Sequence, residues 1–174
     1  QRASYNINDV IDNYLAGLLL AGVKSGSTIT AQTLTSANAY DYPVDLGVLL
    51  NEHNVPMLGR WAVIPPWFHG LLLKDERFVG NGTGCNQAIL QGGWVGDAAG
   101  FRIHLSNNVP ESAGSYSVIA GTNAAGSFAE QLVELEAYRL EKNFSDGLKG
   151  LHVYGAKVTQ PDGLAVLKCT KAAA

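Results

Sequence analysis

Two β-rich runs close to the C-terminus, residues 151–158 (LHVYGAKV) and 164–170 (LAVLKCT), flank Gln160-Pro161-Asp162-Gly163. Proline followed by Asp-Gly favours a tight reversal, so the spacing predicts a β-hairpin. A lone hairpin is marginal in water and needs a third strand to complete its apolar face. Residues 133–141 are the candidate, because Val133, Leu135 and Ala137 alternate with Glu134 and Glu136 in the period-two pattern of a half-buried strand. Local propensity points the other way: Glu, Leu and Ala favour helix, and Phe128, Leu132 and Leu135 also fit a helical stripe. On pattern alone both readings stay open.

Upstream, Val10, Ile11, Tyr14, Leu15, Leu18 and Leu19 form one stripe of an amphipathic helix, with Asn8 or Asp9 as its cap and Gly22 at its end. Residues 25–39 are rich in Ser and Thr, lack periodicity and read as a connection. Asp41 and Pro43 signal the start of a helix over 44–51. A strand is expected at 61–64, closed by Pro65-Pro66, and a short helix at 67–74, ending in Lys74-Asp75-Glu76-Arg77. Glycine recurs densely over 80–100, marking turns around short strands at 88–90 and 94–95. Residues 101–105 alternate as a half-buried strand, 106–110 turn, and 116–120 form another strand. No repeat is visible, and 174 residues suit one compact unit or one unit with a small lobe. The expected class is α+β.

Charge is scarce. The chain has 12 basic and 15 acidic residues, where an average soluble chain of this length, at about 25% charged, would carry roughly 44. A polar, weakly charged surface suits large subunit interfaces. A net charge of −3 without any Lys/Arg cluster argues against sequence-specific duplex binding. The longest apolar run, residues 14–23, is far short of the roughly 20 residues a membrane span needs. Cys85 and Cys169 lie far apart outside any metal motif, which fits a reducing compartment. The chain opens on Gln1 without a signal-like segment and reads as a fragment or processed form.

Chemistry by motif is sparse. His53, His69, His104 and His152 form no ligand pair, so neither metal nor cofactor is expected. His104 and His152 alternate with apolar neighbours and are expected to face outward from their strands. Gly80-Asn81-Gly82-Thr83-Gly84 lacks the GK[ST] ending of a phosphate loop, and no GxSxG elbow is present. Asn143-Phe144-Ser145 is read as a chance sequon. The group around Trp67, Phe68 and Lys74 to Arg77 fits a ligand site, a subunit contact or a helix packing its rings inward.

Several segments, in order, resemble the major capsid protein of tailed double-stranded DNA bacteriophages, in the branch that includes P22-like coat proteins. The first is Val55-Pro56, then Arg60-Trp61-Ala62-Val63-Ile64-Pro65-Pro66 and Leu71-Leu72-Leu73-Lys74-Asp75-Glu76-Arg77-Phe78. The second is Gly93-Trp94-Val95-Gly96 with Gly100-Phe101-Arg102-Ile103 and Ser106-Asn107-Asn108-Val109-Pro110. The third runs from Phe128-Ala129-Glu130-Gln131 through Glu136-Ala137-Tyr138-Arg139, Phe144, Asp146 and Gly150-Leu151 to Tyr154-Gly155-Ala156-Lys157-Val158. Together they cover roughly residues 7–168.

The resemblance implies the Hong Kong ninety-seven-like capsid fold. In it, residues 28–126 would form an axial domain, while 1–27 (the spine helix) and 127–174 (strands and C-terminal hairpin) would form a discontinuous peripheral domain. It favours a short helix near 124–131 with a strand after it. It implies a non-enzymatic structural protein that self-assembles into pentamers and hexamers of an icosahedral shell. The implied partners are copies of itself, scaffolding and portal proteins, and double-stranded DNA packaged without sequence specificity. No membrane is implied, and the shell would be assembled in the host cytoplasm as part of the virion. Candidate inter-subunit contacts are Lys74, Asp75, Glu76, Arg77, Glu134, Glu136 and Arg139. Two departures stand out: the first helix starts almost at residue 1, where such coats carry an N-terminal arm and an extended loop, and Gly150 occupies the position where some carry a crosslinking Asn. The alternatives are an encapsulin-like nanocompartment shell and a carbohydrate-binding or adhesin module built on Trp61, Trp67 and Trp94.

Overall fold

Val118, Ile119 and Ala120 are consecutive in one strand and all buried, which requires a packed layer on each face of the sheet. The computed structural model describes residues 2–75, 96–139 and 146–172. Its elements are α1 (Arg2–Ala21), β1 (Thr28–Leu34), α2 (Asp41–Glu52), β2 (Arg60–Ile64), α3 (Pro66–Leu72), β3 (Asp97–Ala98), β4 (Phe101–Leu105), β5 (Glu111–Ser112), β6 (Ser115–Thr122), β7 (Gly126–Arg139), β8 (Asp146–Val158) and β9 (Leu164–Lys171). A seven-stranded mixed sheet runs β1-β9-β6-β2-β4-β3, with β5 paired to β6; β7 and β8 form a separate two-stranded sheet.

Strand alternation sorts the core into two layers. Val118, Ala120, Ala165, Leu167 and Cys169 face α2 and α3, meeting Leu46, Leu50, Phe68 and Leu72. Ile119, Leu164 and Val166 face the other way, onto Leu19 and Leu20 near the end of α1 and onto Trp61. Burying each large aliphatic or aromatic side chain contributes about 1.5–3 kcal/mol, so the thicker α2–α3 layer dominates. Asp41 in the first turn of α2 complements the helix dipole. Pro66 opens α3, where the missing N–H costs nothing.

The expected hairpin of residues 151–158 and 164–170 does not form, although both runs are strands. Ala125 O accepts from the backbone N–H groups of Thr159 (2.9 Å) and Gln160 (3.2 Å), which pins the end of β8 beside the start of β7. A 3-10 turn at Pro161–Gly163 then carries the chain into the large sheet. There β9 pairs antiparallel with β6 and parallel with β1. Leu164, Ala165, Val166 and Leu167 are consecutive and fully buried, a pattern that fits a strand covered on both faces and not a hairpin arm with one wet face.

Three more expectations change. Residues 25–39 contain β1, a Thr-rich edge strand ordered by its parallel pairing to β9. Residues 124–131 form no helix: β7 starts at Gly126 and pairs with β8 from Gly126↔Val158 to Arg139↔Asp146, so cross-strand pairing overrides helix propensity. The first helix begins well before Asn8, so Asn8 and Asp9 lie inside it and not at its cap; the Asp9 carboxylate accepts from Asn108 Nδ2 at 2.8 Å. The strand expected over 133–141 is present as far as Arg139. The strands expected at 88–90 and 94–95, and the glycine cluster at 80–84, lie outside the described residues.

Candidate functional site

The β7–β8 ribbon presents its faces in an inverted sense. Along β8, Leu151 and Val153 are 54% and 53% exposed, while His152, Tyr154, Ala156 and Val158 are half-buried. Tyr154 meets Tyr14 of α1 edge-on at 5.3 Å, and the His152 ring lies 5.8 Å from Tyr154. His152 Nε2 stands 3.5 Å from a Glu130 carboxylate oxygen on the adjoining strand, an ion pair when the imidazole is protonated. Over residues 151–154 the His and Tyr side therefore packs toward α1 and the Leu and Val side faces out. This corrects the outward placement expected for His152; His104 is exposed, as expected.

Among the described residues the ribbon's two strands pair only with each other. Its length, its open edges and the exposed Leu151 and Val153 leave hydrogen-bonding and apolar surface that the described residues do not cover. The sequence signal was the alternation in LHVYGAKV; alternation shows that two faces differ, and only packing shows which one turns inward.

The charged residues singled out from the sequence divide between two places. Lys74 is exposed just past α3, whereas Asp75 is 3% exposed and its carboxylate accepts from the Tyr40 backbone N–H at 3.4 Å. Asp75 thus belongs to the interior of the subunit and not to its surface. Glu76 and Arg77 lie outside the described residues. Register sets Glu134 opposite Leu151, Glu136 opposite Lys149 and Arg139 opposite Asp146. The charged positions of β7 therefore share the ribbon with the exposed Leu151 and Val153, which the sequence reading missed.

The remaining candidates are structural. Trp67 stacks on Phe68 at 6.0 Å and meets Tyr116 edge-on at 5.3 Å, so that helix packs its rings inward. Trp61 packs beside the end of α1. The Cys169 thiol is buried, and desolvation pushes its pKa up to about 12, which makes it a poor nucleophile. Among the described residues no group of three or more His, Cys, Asp or Glu side chains could hold a metal ion, and no helix is long and apolar enough to cross a membrane.

Comparison with known proteins follows this architecture. A chain of Mycobacterium phage Che8 superposes with a TM-score of 0.77 at 26% identity, covering 95% of this chain and 61% of the phage chain. A capsid structure of the cyanophage P-SCSP1u gives a TM-score of 0.72 at 15% identity, over 99% of this chain and 67% of that one. The encapsulin SrpI complex of Synechococcus elongatus is more distant, at a TM-score of 0.52 and 13% identity over 95% of this chain and 63% of that one. The chain thus spans roughly three-fifths to two-thirds of the length of these relatives. No curated protein sequence matches it. The α+β architecture is the Hong Kong ninety-seven-like fold of its phage neighbours. A family model described as phage capsid protein matches residues 1–167, so the chain belongs to the phage capsid protein family.

Proposed function

We propose that this chain is the structural subunit of an icosahedral virion shell, assembled with its own copies into pentamers and hexamers around double-stranded DNA. The observation that carries this reading, beside the family match, is the β7–β8 ribbon with its bare aliphatic face and open edges. A shell subunit meets its neighbours through heterologous contacts that close into rings. Surface left unfinished in one copy is then finished by the next. Scarce charge fits the same role, since repulsion accumulates over many like copies and each unpaired charge buried at a contact costs several kcal/mol. Many modest contacts sum by avidity, and none of them needs a catalytic group.

In this reading α1 and the ribbon form the peripheral lobe. The seven-stranded sheet with α2 and α3 forms the axial lobe, to which β9 is added. Lys74, Glu134, Glu136 and Arg139 supply polar contacts around the apolar ones. Scaffolding and portal proteins are the expected assembly partners in the host cytoplasm. Electron microscopy of particles from an expressing culture, with nucleic-acid analysis of their contents, tests the proposal. Closed icosahedral shells that package double-stranded DNA support it. Shells holding protein cargo would assign a nanocompartment, and a non-assembling sugar-binding monomer would overturn the shell reading.

A further inference from the structure

The loop that joins α2 to β2 is built to be stiff. The Val55 N–H donates to Leu50 O at 3.0 Å and the Asn54 N–H to Asn51 O at 2.9 Å. Asn54 has φ of 56°, which completes a Schellman ending with asparagine in the left-handed position. At the far end Gly59 turns the chain with φ of 75°, a conformation that side chains with a Cβ rarely adopt. Arg60 follows, only 5% exposed. Its guanidinium donates to Pro56 O (3.0 Å), Val55 O (2.6 Å), Gly47 O (3.4 Å) and the Asn51 side-chain oxygen (2.7 Å). Burying a cation is costly unless its donors are satisfied, and here they are satisfied by the loop's own carbonyls and the end of α2. The cation is thereby a clamp that holds this loop in one shape.

What the clamp presents is apolar. Met57 is 71% exposed and Leu58 is 91% exposed at the tip. Beside it lies a hollow of about 400 Å³ lined in part by Asp97, Arg102, His104 and Asn123. Register sets Asp97 opposite Arg102, and Arg60, which also lines the hollow, turns its guanidinium to carbonyls of the loop and of α2, so the hollow does not offer a phosphate backbone the clustered cations it needs. An apolar anchor with a polar rim is the anatomy of a protein–protein contact. Holding the anchor in a pre-formed loop removes the ordering entropy that a mobile loop would lose on binding.

We propose that the Met57–Leu58 tip is an inter-subunit anchor whose partner is a second copy of this chain. The proposal rests on the shell reading, in which the neighbours of a subunit are its own copies and contacts are heterologous. The tip of one copy therefore packs against a different surface of the next.

The test uses assembled particles carrying a photo-crosslinking phenylalanine analogue in place of Leu58, alongside wild-type protein and the double variant Met57→Asp with Leu58→Asp. Irradiation is expected to yield adducts of twice the subunit mass, with peptides that map position 58 onto another site of the same chain. The double variant is expected to give at least roughly tenfold fewer particles, with the unfolding midpoint of dissociated subunits little changed because both side chains are largely exposed. Adducts to a different protein, no adducts, or an undiminished particle yield would overturn the anchor. If wild-type protein forms no particles under any condition, the shell reading fails with it.

Discussion

Val166 of β9 is fully buried, and Val153 of β8 is 53% exposed, so the same side chain meets opposite surroundings in two strands of one subunit. The strands differ in partners and in layers. β9 lies between β1 and β6 with a packed layer on each face, whereas β8 pairs with β7 alone among the described residues and rests only one face, that of His152, Tyr154 and Val158, toward α1. The large sheet is packed on both faces within one subunit. The ribbon is stable in isolation only so far as α1 supports it, since two strands by themselves are marginal. Stability of the subunit is thus concentrated in the sheet, and on the proposed shell reading the capacity to associate is concentrated in the ribbon and at the loop tip.

Four perturbations break or sharpen that contrast, in falling order of effect on the isolated subunit. Phe68→Ala opens a cavity in the fully buried α2–α3 layer and is expected to cost about 3–5 kcal/mol, read from urea unfolding of dissociated subunits. A cost below about 1 kcal/mol, the level of an ordinary substitution, would show that the sheet is not where stability resides. Gly22→Ala probes the junction of the two regions, because a Cβ at Gly22 would lie 2.9 Å from Val158 Cβ and collide with the rest of that side chain. Displacing β8 from the end of α1 is expected to cost about 1–3 kcal/mol and to speed hydrogen exchange in the ribbon ahead of the sheet. Uniform acceleration in both would refute independent response.

A pH effect follows from His69, buried in the α3 layer, where desolvation lowers its pKa below the ordinary value. The unfolded chain then binds a proton more readily than the folded one. The associated stability is present above about pH 6.5 and is lost as pH falls through the folded-state pKa. Urea midpoints should decline from about pH 7 to about pH 5, and His69→Gln should flatten that decline; an unaltered slope would place the acid sensitivity elsewhere. The smallest effect on the subunit is expected from Leu151→Asp or Val153→Asp, within about 0.5 kcal/mol, because the exposed face loses no packing. Particle yield is where these two variants should show their loss, and normal yields would remove the ribbon face from the assembly contacts.

Much of the fold was legible because it depends on local pattern. The helix α1, the Asp41 and Pro43 start of α2, the β2 run closed by Pro65-Pro66, the strand β4 and the strand at 133–139 all stand in the structure, although Val10 and Tyr14 of the α1 stripe and Leu105 of β4 are exposed. The ordered motifs shared with phage coats resolved the strand where propensity voted for helix, although the short helix expected before it turned out to be the first part of β7. Three matters were decided only by tertiary structure. Pro161-Asp162-Gly163 makes the same local turn whether it closes a hairpin or sends the chain into another sheet, and the hydrogen bonds to Ala125 together with the two-sided burial of β9 select the second. The alternation in β8 specifies two unlike faces, and contact with Tyr14 selects which is covered. Arg60 reads in sequence as a charge before a strand, and only its burial among the carbonyls of Gly47, Val55 and Pro56 makes it a clamp. Periodicity and turn chemistry are carried by neighbours along the chain; pairing, facing and burial are set by partners far away in it, and those contacts exist only once the chain has folded.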